Sequence, residues 1–145
     1  MDLKNIYREI INEHNLHPQY KLDMEHPTYC LQGVNPTCGD DITLSLRTNE
    51  EGVIEEVGFT GSGCAVSQAS TDIMLELIEG KTKDEALLLS KAFMRMVRGE
   101  ASDEDMELLE DAAALADVAH MPARVKCATL AWHTLEKMLA GENEE

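Results

Sequence analysis

The sequence predicts an α+β fold, a small antiparallel sheet of two to three strands covered by a layer of four to six helices. Three observations carry that expectation. Ile42, Leu44 and Leu46 alternate with Thr43, Ser45 and Arg47, and Val53, Glu55, Val57 and Phe59 share one face of a second run, so two strands meet across a turn at Asn49 to Gly52. On both sides of this hairpin, apolar residues recur at the three- and four-residue spacing of helices. Aromatic residues make up only 4% while eight methionines accompany many Ala and Leu, a composition suited to a mainly helical core with flexible gap-fillers.

With 145 residues, the chain is expected to form one domain over 1–140 with a flexible acidic tail at 141–145. That length buries a core without needing metal as a staple, so a metal here would be functional by default. Twenty-eight acidic against twelve basic residues give a formal net charge of -16. Such a charge lacks the basic footprint for phosphate backbones and is repelled by anionic membranes, so neither nucleic acid nor membrane is expected as a partner; it would steer the chain toward a basic patch on a protein. No stretch approaches the roughly 18 apolar residues of a membrane span, and residues 1–7 contain no apolar signal core. A cytoplasmic location is therefore expected, where four cysteines are free thiols or metal ligands rather than disulfides.

Taken in order, Leu3, Ile6, Tyr7, Ile10 and Ile11 predict an opening amphipathic helix, with Asp2 as its cap and an end near His14 before His17-Pro18. His14, His17 and His26 lack a paired ligand motif and read as solvated or packed histidines. Tyr29 to Val34 read as a short edge strand. After the hairpin, Gly61-Ser62-Gly63-Cys64 leads into a helix with Val66, Ala69, Ile73, Met74 and Leu77 on its apolar face. Cys64 at its start has the setting that favours a thiolate, because the helix N-terminus offers free N–H groups and the positive end of the dipole. The strand, G-x-G, helix order also begins a dinucleotide fingerprint, but Val66 occupies the place of its third glycine.

Thr82 and Glu85 form a capping box for a helix through Leu89, Ala92, Phe93, Met96 and Val97, and Ser102 begins a shorter one. Residues 99–119 hold eight acidic residues and no basic one, the pattern of a solvated helix or of a docking surface. Pro122 fits the first turn of the last helix, whose buried stripe is read as Ala123, Cys127, Leu130, Ala131, Leu135 and Met138. Arg124 and Lys126 flank Cys127, as counter-charges to a thiolate cluster or as the exposed side of the helix.

The stretch Asn35-Pro36-Thr37-Cys38-Gly39-Asp40-Asp41 cannot be helical. By itself it reads first as a tight turn. The positions of the other cysteines give it a second meaning. Cys38 and Asp40 precede the sheet, Cys64 follows it, and antiparallel pairing brings those two loops to one end. If the last helix crosses that end, Cys127 joins them in a four-donor site of the kind zinc prefers. Cys30 falls outside and reads as a core or edge thiol.

The segments 35–40, 61–64 and 122–132 (Pro-Ala-Arg-Val-Lys-Cys-Ala-Thr-Leu-Ala-Trp) resemble those of the sulfur-acceptor and scaffold proteins of iron-sulfur cluster assembly, most closely the SufU-type branch of the IscU/NifU-like superfamily. The resemblance runs over nearly the whole chain, with three separated motifs in the family's order. IscU-type scaffolds carry His immediately before the third cysteine, where this chain has Lys126, and lack an insertion that the acidic stretch near 99–117 resembles.

The resemblance implies one zinc ion per chain on Cys38, Asp40, Cys64 and Cys127, persulfide sulfur taken from a SufS-type cysteine desulfurase, and a histidine of the desulfurase taking over the vacated zinc position; Cys38 reads as the acceptor because its Pro/Gly loop can move, whereas Cys64 and Cys127 are anchored on helices. The resemblance also implies delivery onward to SufBCD-type assembly proteins. The same ligands could host a transient iron-sulfur cluster, as in a scaffold, and a non-catalytic zinc adaptor is the further alternative. Metal plus four anionic ligands would carry a formal charge of about -2, giving Arg124 and Lys126 an electrostatic task.

Overall fold

A computed structural model describes residues 3–141. The expected cap Asp2 and the tail from Glu142 onward lie outside the described residues. The opening helix α1 spans Leu3–Leu16 and is followed by three strands, β1 (Tyr29–Asn35), β2 (Asp40–Thr48) and β3 (Ile54–Ser62). Then come α2 (Ala65–Ile78), α3 (Lys83–Val97), α4 (Asp103–Leu109), a 3-10 segment at Glu110–His120 and α5 (Pro122–Leu139). The strands form an antiparallel sheet in the order β1-β2-β3, so the α+β architecture expected from the sequence is the one observed.

Alternation sets the sheet's inner face. Ile42, Leu44 and Leu46 of β2 and Val57 and Phe59 of β3 are all buried beneath the helices. One expectation fails here. Arg47 pairs with Glu56 but Thr48 with Ile54, so Glu55 is the extra residue of a bulge. It is exposed instead of sharing the inner face, and Ile54 is buried in its place. Val53 lies outside β3, in an isolated bridge to Thr82.

Helix α2 is the central element. It was expected to bury one stripe but buries eleven of its fourteen residues, five of them polar or charged. Such side chains are tolerated in a core when they are bonded. Ser70 Oγ donates to the Ala128 carbonyl at 2.6 Å and receives the Trp132 indole N–H at 3.1 Å, which fastens α2 to α5. Asp72 accepts from His14 Nδ1 at 2.7 Å and from the Tyr20 N–H at 2.8 Å, which fastens α2 to α1. His14 is thus a packed histidine, whereas His17 and His26 are exposed.

The predicted capping box forms at Thr82–Glu85, and the shorter helix that begins at Ser102 has one too, with Asp105. Phe93 of α3 stacks on Trp132 of α5 with ring centroids 4.2 Å apart. The stripe expected on α5 is shifted: Ala123 is exposed and Leu130 half-buried, while Ala128, Trp132 and Thr134 join Cys127, Ala131, Leu135 and Met138 inside. The close approach of β1 moves the stripe. A Cβ on Gly33 would lie 2.1 Å from Thr134 Oγ1, so the glycine lets α5 lie across the end of β1.

Candidate metal centre

The stretch 35–41 is a tight turn that carries two of the candidate ligands. Asn35 and Asp40 are the last partners of the β1–β2 ladder. Residues 36–39 close it, with the N–H groups of Cys38 and Gly39 donating to the carbonyls of Asn35 and Pro36, both at 3.3 Å. Gly39 takes a φ of +71°, which a side chain would disfavour. Cys38 is therefore held half-exposed at the tip, and Asp40, expected in a loop, is the first residue of β2 and fully buried. Alternation turns Asp41 to the other face, where it is exposed and accepts from Gln32 Nε2 at 2.9 Å.

β3 ends beside this turn, its Ser62 paired with Asp41. Gly63 carries the chain into α2 with almost no room: a Cβ there would stand 2.6 Å from Asp40 Oδ1. Cys64 follows as the N-cap, with extended backbone and its Sγ accepting from the Ser67 N–H at 3.4 Å. A sulfur here takes the place that Ser or Asp oxygens usually fill. The Cys64 N–H itself donates to Asp40 Oδ1 at 2.9 Å.

Cys127 arrives from the far end of the sequence, 1% exposed on α5. Asn35 Nδ2 donates to Asp40 Oδ2 at 3.1 Å and reaches Cys127 Sγ at 3.8 Å, linking a strand end to the helix. Donor atoms of Cys38, Asp40 and Cys127 all lie within 4.8 Å of one another. Cys64 stands next to Cys127 without being within that distance of all three. Burial pushes the Cys127 thiol far up, and neighbouring Cys38, Cys64 and Asp40 push it in the same direction. The three gathered donors, with Cys64 beside Cys127, need either protons or a cation.

A zinc ion fits that demand. Zinc–sulfur bonds of about 2.3 Å and zinc–oxygen bonds of about 2.0 to 2.2 Å place ligand atoms less than roughly 4.6 Å apart, and the thiol, thiol and carboxylate donors are already gathered on that scale. Beside them, Ser67 Oγ is buried with no partner among the described residues.

The remaining residues singled out by sequence sit as follows. Arg124 and Lys126 are exposed, and their side chains make no hydrogen bond or ion pair with the described residues. Cys30 is half-buried on β1, receives a weak 3.8 Å contact from Ser45 Oγ and is not part of the cluster. Sequence reasoning did not assign roles to Asn35, Gly63 and Ser67. Asn35 belongs to the quoted turn, but Asn is common in any turn, and only the β1–β2 register shows that its amide faces Asp40.

Residues 6–139 match the family model described as NifU-like N terminal domain. The chain is 38% identical to the zinc-dependent sulfurtransferase SufU of Bacillus subtilis, over 97% of this chain and 94% of that protein. It is also 38% identical to the iron-sulfur cluster assembly scaffold protein IscU of Streptococcus pyogenes, over 94% of this chain and 84% of the other. Among solved structures, a Fervidobacterium islandicum protein assigned to the SUF system as an iron-sulfur cluster assembly scaffold superimposes with a TM-score of 0.86 at 38% identity, covering 95% of this chain and 99% of that one.

Proposed function

The chain belongs to the family of NifU-like N-terminal domains, and from that premise we propose that it is a zinc-dependent sulfurtransferase that accepts persulfide sulfur from a SufS-type cysteine desulfurase for iron-sulfur cluster assembly. The observation that carries this reading is the gathering of the Cys38, Asp40 and Cys127 donors within 4.8 Å of one another, in a chain similar along nearly its whole length to one such transferase.

Cys38, Asp40, Cys64 and Cys127 are the residues we assign to the ion. When bound, zinc supplies the positive charge that keeps thiols ionised and nucleophilic, with no second oxidation state to complicate the chemistry. The protein's own groups do the rest. Asn35 and the Cys64 N–H orient the two Asp40 oxygens, and α2 and α5 hold Cys64 and Cys127 on rigid supports.

Cys38 is the acceptor we assign. It is half-exposed on a Pro/Gly turn, while Cys127 is buried beyond a partner's reach and the Cys64 sulfur is engaged by the Ser67 N–H. The Cys38 thiolate attacks the outer sulfur of the desulfurase persulfide. A new S–S bond forms on Cys38, the old one breaks, and its electron pair leaves on the desulfurase cysteine as thiolate, so no external oxidant or reductant is needed. The acceptor then hands its sulfur to downstream assembly proteins of the SufBCD type. Arg124 and Lys126, exposed on the helix that carries Cys127, are the cations we assign to that traffic. Four cysteines free of disulfides suit a reducing cytoplasm.

The relative in Streptococcus pyogenes supports a second reading, a scaffold on the same ligands. One assay divides the two. Iron-free, zinc-loaded protein in catalytic amounts should raise desulfurase turnover several-fold. No stimulation, or stimulation only with an assembled iron-sulfur cluster, would overturn the transferase reading.

A further inference from the structure

A second group of ligand-type side chains lies far from the thiols. Donor atoms of His14, Glu76 and Asp111 also lie within 4.8 Å of one another. They come from the end of α1, the last turns of α2 and the start of the 3-10 segment. Glu76 is twelve residues after Cys64 on the same helix, about 18 Å along its axis at about 1.5 Å per residue, so the two groups cannot share one ion.

The histidine makes this more than an acidic patch. Its side chain is 9% exposed, and Nδ1 is committed to Asp72 Oδ2 at 2.7 Å. Asp72 is fully buried and its other oxygen holds the Tyr20 N–H at 2.8 Å. Asp72 is thus an acceptor on both oxygens. It holds the Nδ1–H tautomer and leaves the lone pair on Nε2, which has no partner among the described residues. Metal-binding histidines are oriented by carboxylates in this way. His14 and Asp111 line one surface cavity, and Glu76 and Asp111 line an adjoining one, so the group opens to solvent. Glu76 is pushed up by burial, pulled down by His14 and pushed up by Asp111, Asp72 and Glu110, a gathering of acids that a cation would relieve.

We propose that His14 Nε2, Glu76 and Asp111 form a second metal site, for a divalent first-row transition metal. One imidazole and two carboxylates on one side, with water completing the shell, suit such ions and do not suit soft, thiophilic ones. Donors on one side of an ion at about 2.1 to 2.2 Å stand roughly 3 to 3.5 Å apart, a separation that rotation of the partly exposed Glu76 and exposed Asp111 side chains would reach. The site is independent of the proposed sulfur transfer and stands or falls without it.

The test is calorimetric titration of Co2+ into full-length protein carrying one Zn2+ per chain, in physiological salt, with NMR of the histidine rings. We expect one Co2+ per chain without thiolate charge-transfer absorption, paramagnetic shifts on His14, and at least tenfold weaker binding in both Glu76→Gln and Asp111→Asn. His14→Gln should abolish it; if that variant does not fold, the two carboxylate variants decide. Three results would overturn the site: no further ion bound, an ion that enters with thiolate absorption, or binding that both carboxylate variants leave unchanged with His14 unshifted.

Discussion

Asp40 Oδ1 accepts the backbone N–H of Cys64 at 2.9 Å, so the residue that opens β2 also caps the approach to α2. This bond joins two sequence motifs 24 positions apart and fixes the carboxylate among the thiols.

Asp40 is consequently a brace as well as the proposed zinc ligand. Asp40→Ala should lose most bound zinc and destabilise the fold by about 1 to 3 kcal/mol, because the Cys64 N–H and the Asn35 amide lose their acceptor. Asp41→Ala, on the exposed face, should stay within about 0.5 kcal/mol and keep its zinc. Metal analysis and urea unfolding check both; full zinc in Asp40→Ala would remove this residue from the site.

Gly63 is constrained by space. Gly63→Ala sets a methyl 2.6 Å from Asp40 Oδ1 and 3.2 Å from Ser67 Oγ, and should lower zinc retention as well as stability, the latter by about 1 to 3 kcal/mol. Gly80 is the control. Its φ is +87° and nothing lies within 4 Å of where a Cβ would stand, so Gly80→Ala should cost about 1 to 2 kcal/mol through backbone strain alone and leave zinc content intact. Equal zinc loss in both would mean that Gly63 acts through the fold rather than the site.

Much of this was legible in the sequence because it is local. The period of β2, the Thr82 and Ser102 caps and Pro122 at the head of α5 are each set by neighbours within a turn. What could not be read depends on contacts between distant segments. Glu55 left the inner face because a bulge absorbs one residue, and Ala123 left the α5 stripe because β1 and α2 fix how that helix is rotated. The proposed ligands were visible as three cysteines and an aspartate. That Asp40 rather than Asp41 turns inward follows from strand parity once β2 begins at Asp40, and the start of a strand is what a Pro/Gly turn obscures. The site's polar neighbours Asn35 and Ser67 carried no signal, since each is an ordinary residue for its local structure.

Acid stability should depend on Asp105. Hydrogen bonds from Arg95 at 2.7 and 2.8 Å and from the Ser102 N–H hold its carboxyl far below the usual carboxylate range. A group whose folded pKa is depressed contributes stability above its unfolded value of about 3.9 and loses it as pH falls below that toward the folded value. Asp105→Asn should therefore be less stable than the parent at pH 7, with the gap narrowing below about pH 4. A gap independent of pH in urea unfolding would assign the bond no ionic component.

The central claim is that Cys38 is the first sulfur acceptor. Mixing the zinc-loaded protein with a persulfidated SufS-type desulfurase, quenching rapidly with an alkylating reagent and locating the added sulfur by peptide mass spectrometry measures this directly. The mass increase of one sulfur, about 32 Da from the transferred atom, should appear first on Cys38, persist in Cys30→Ser and be absent in a folded Cys38→Ser variant. Sulfur found first on Cys30, Cys64 or Cys127, or undiminished transfer by Cys38→Ser, would contradict the account.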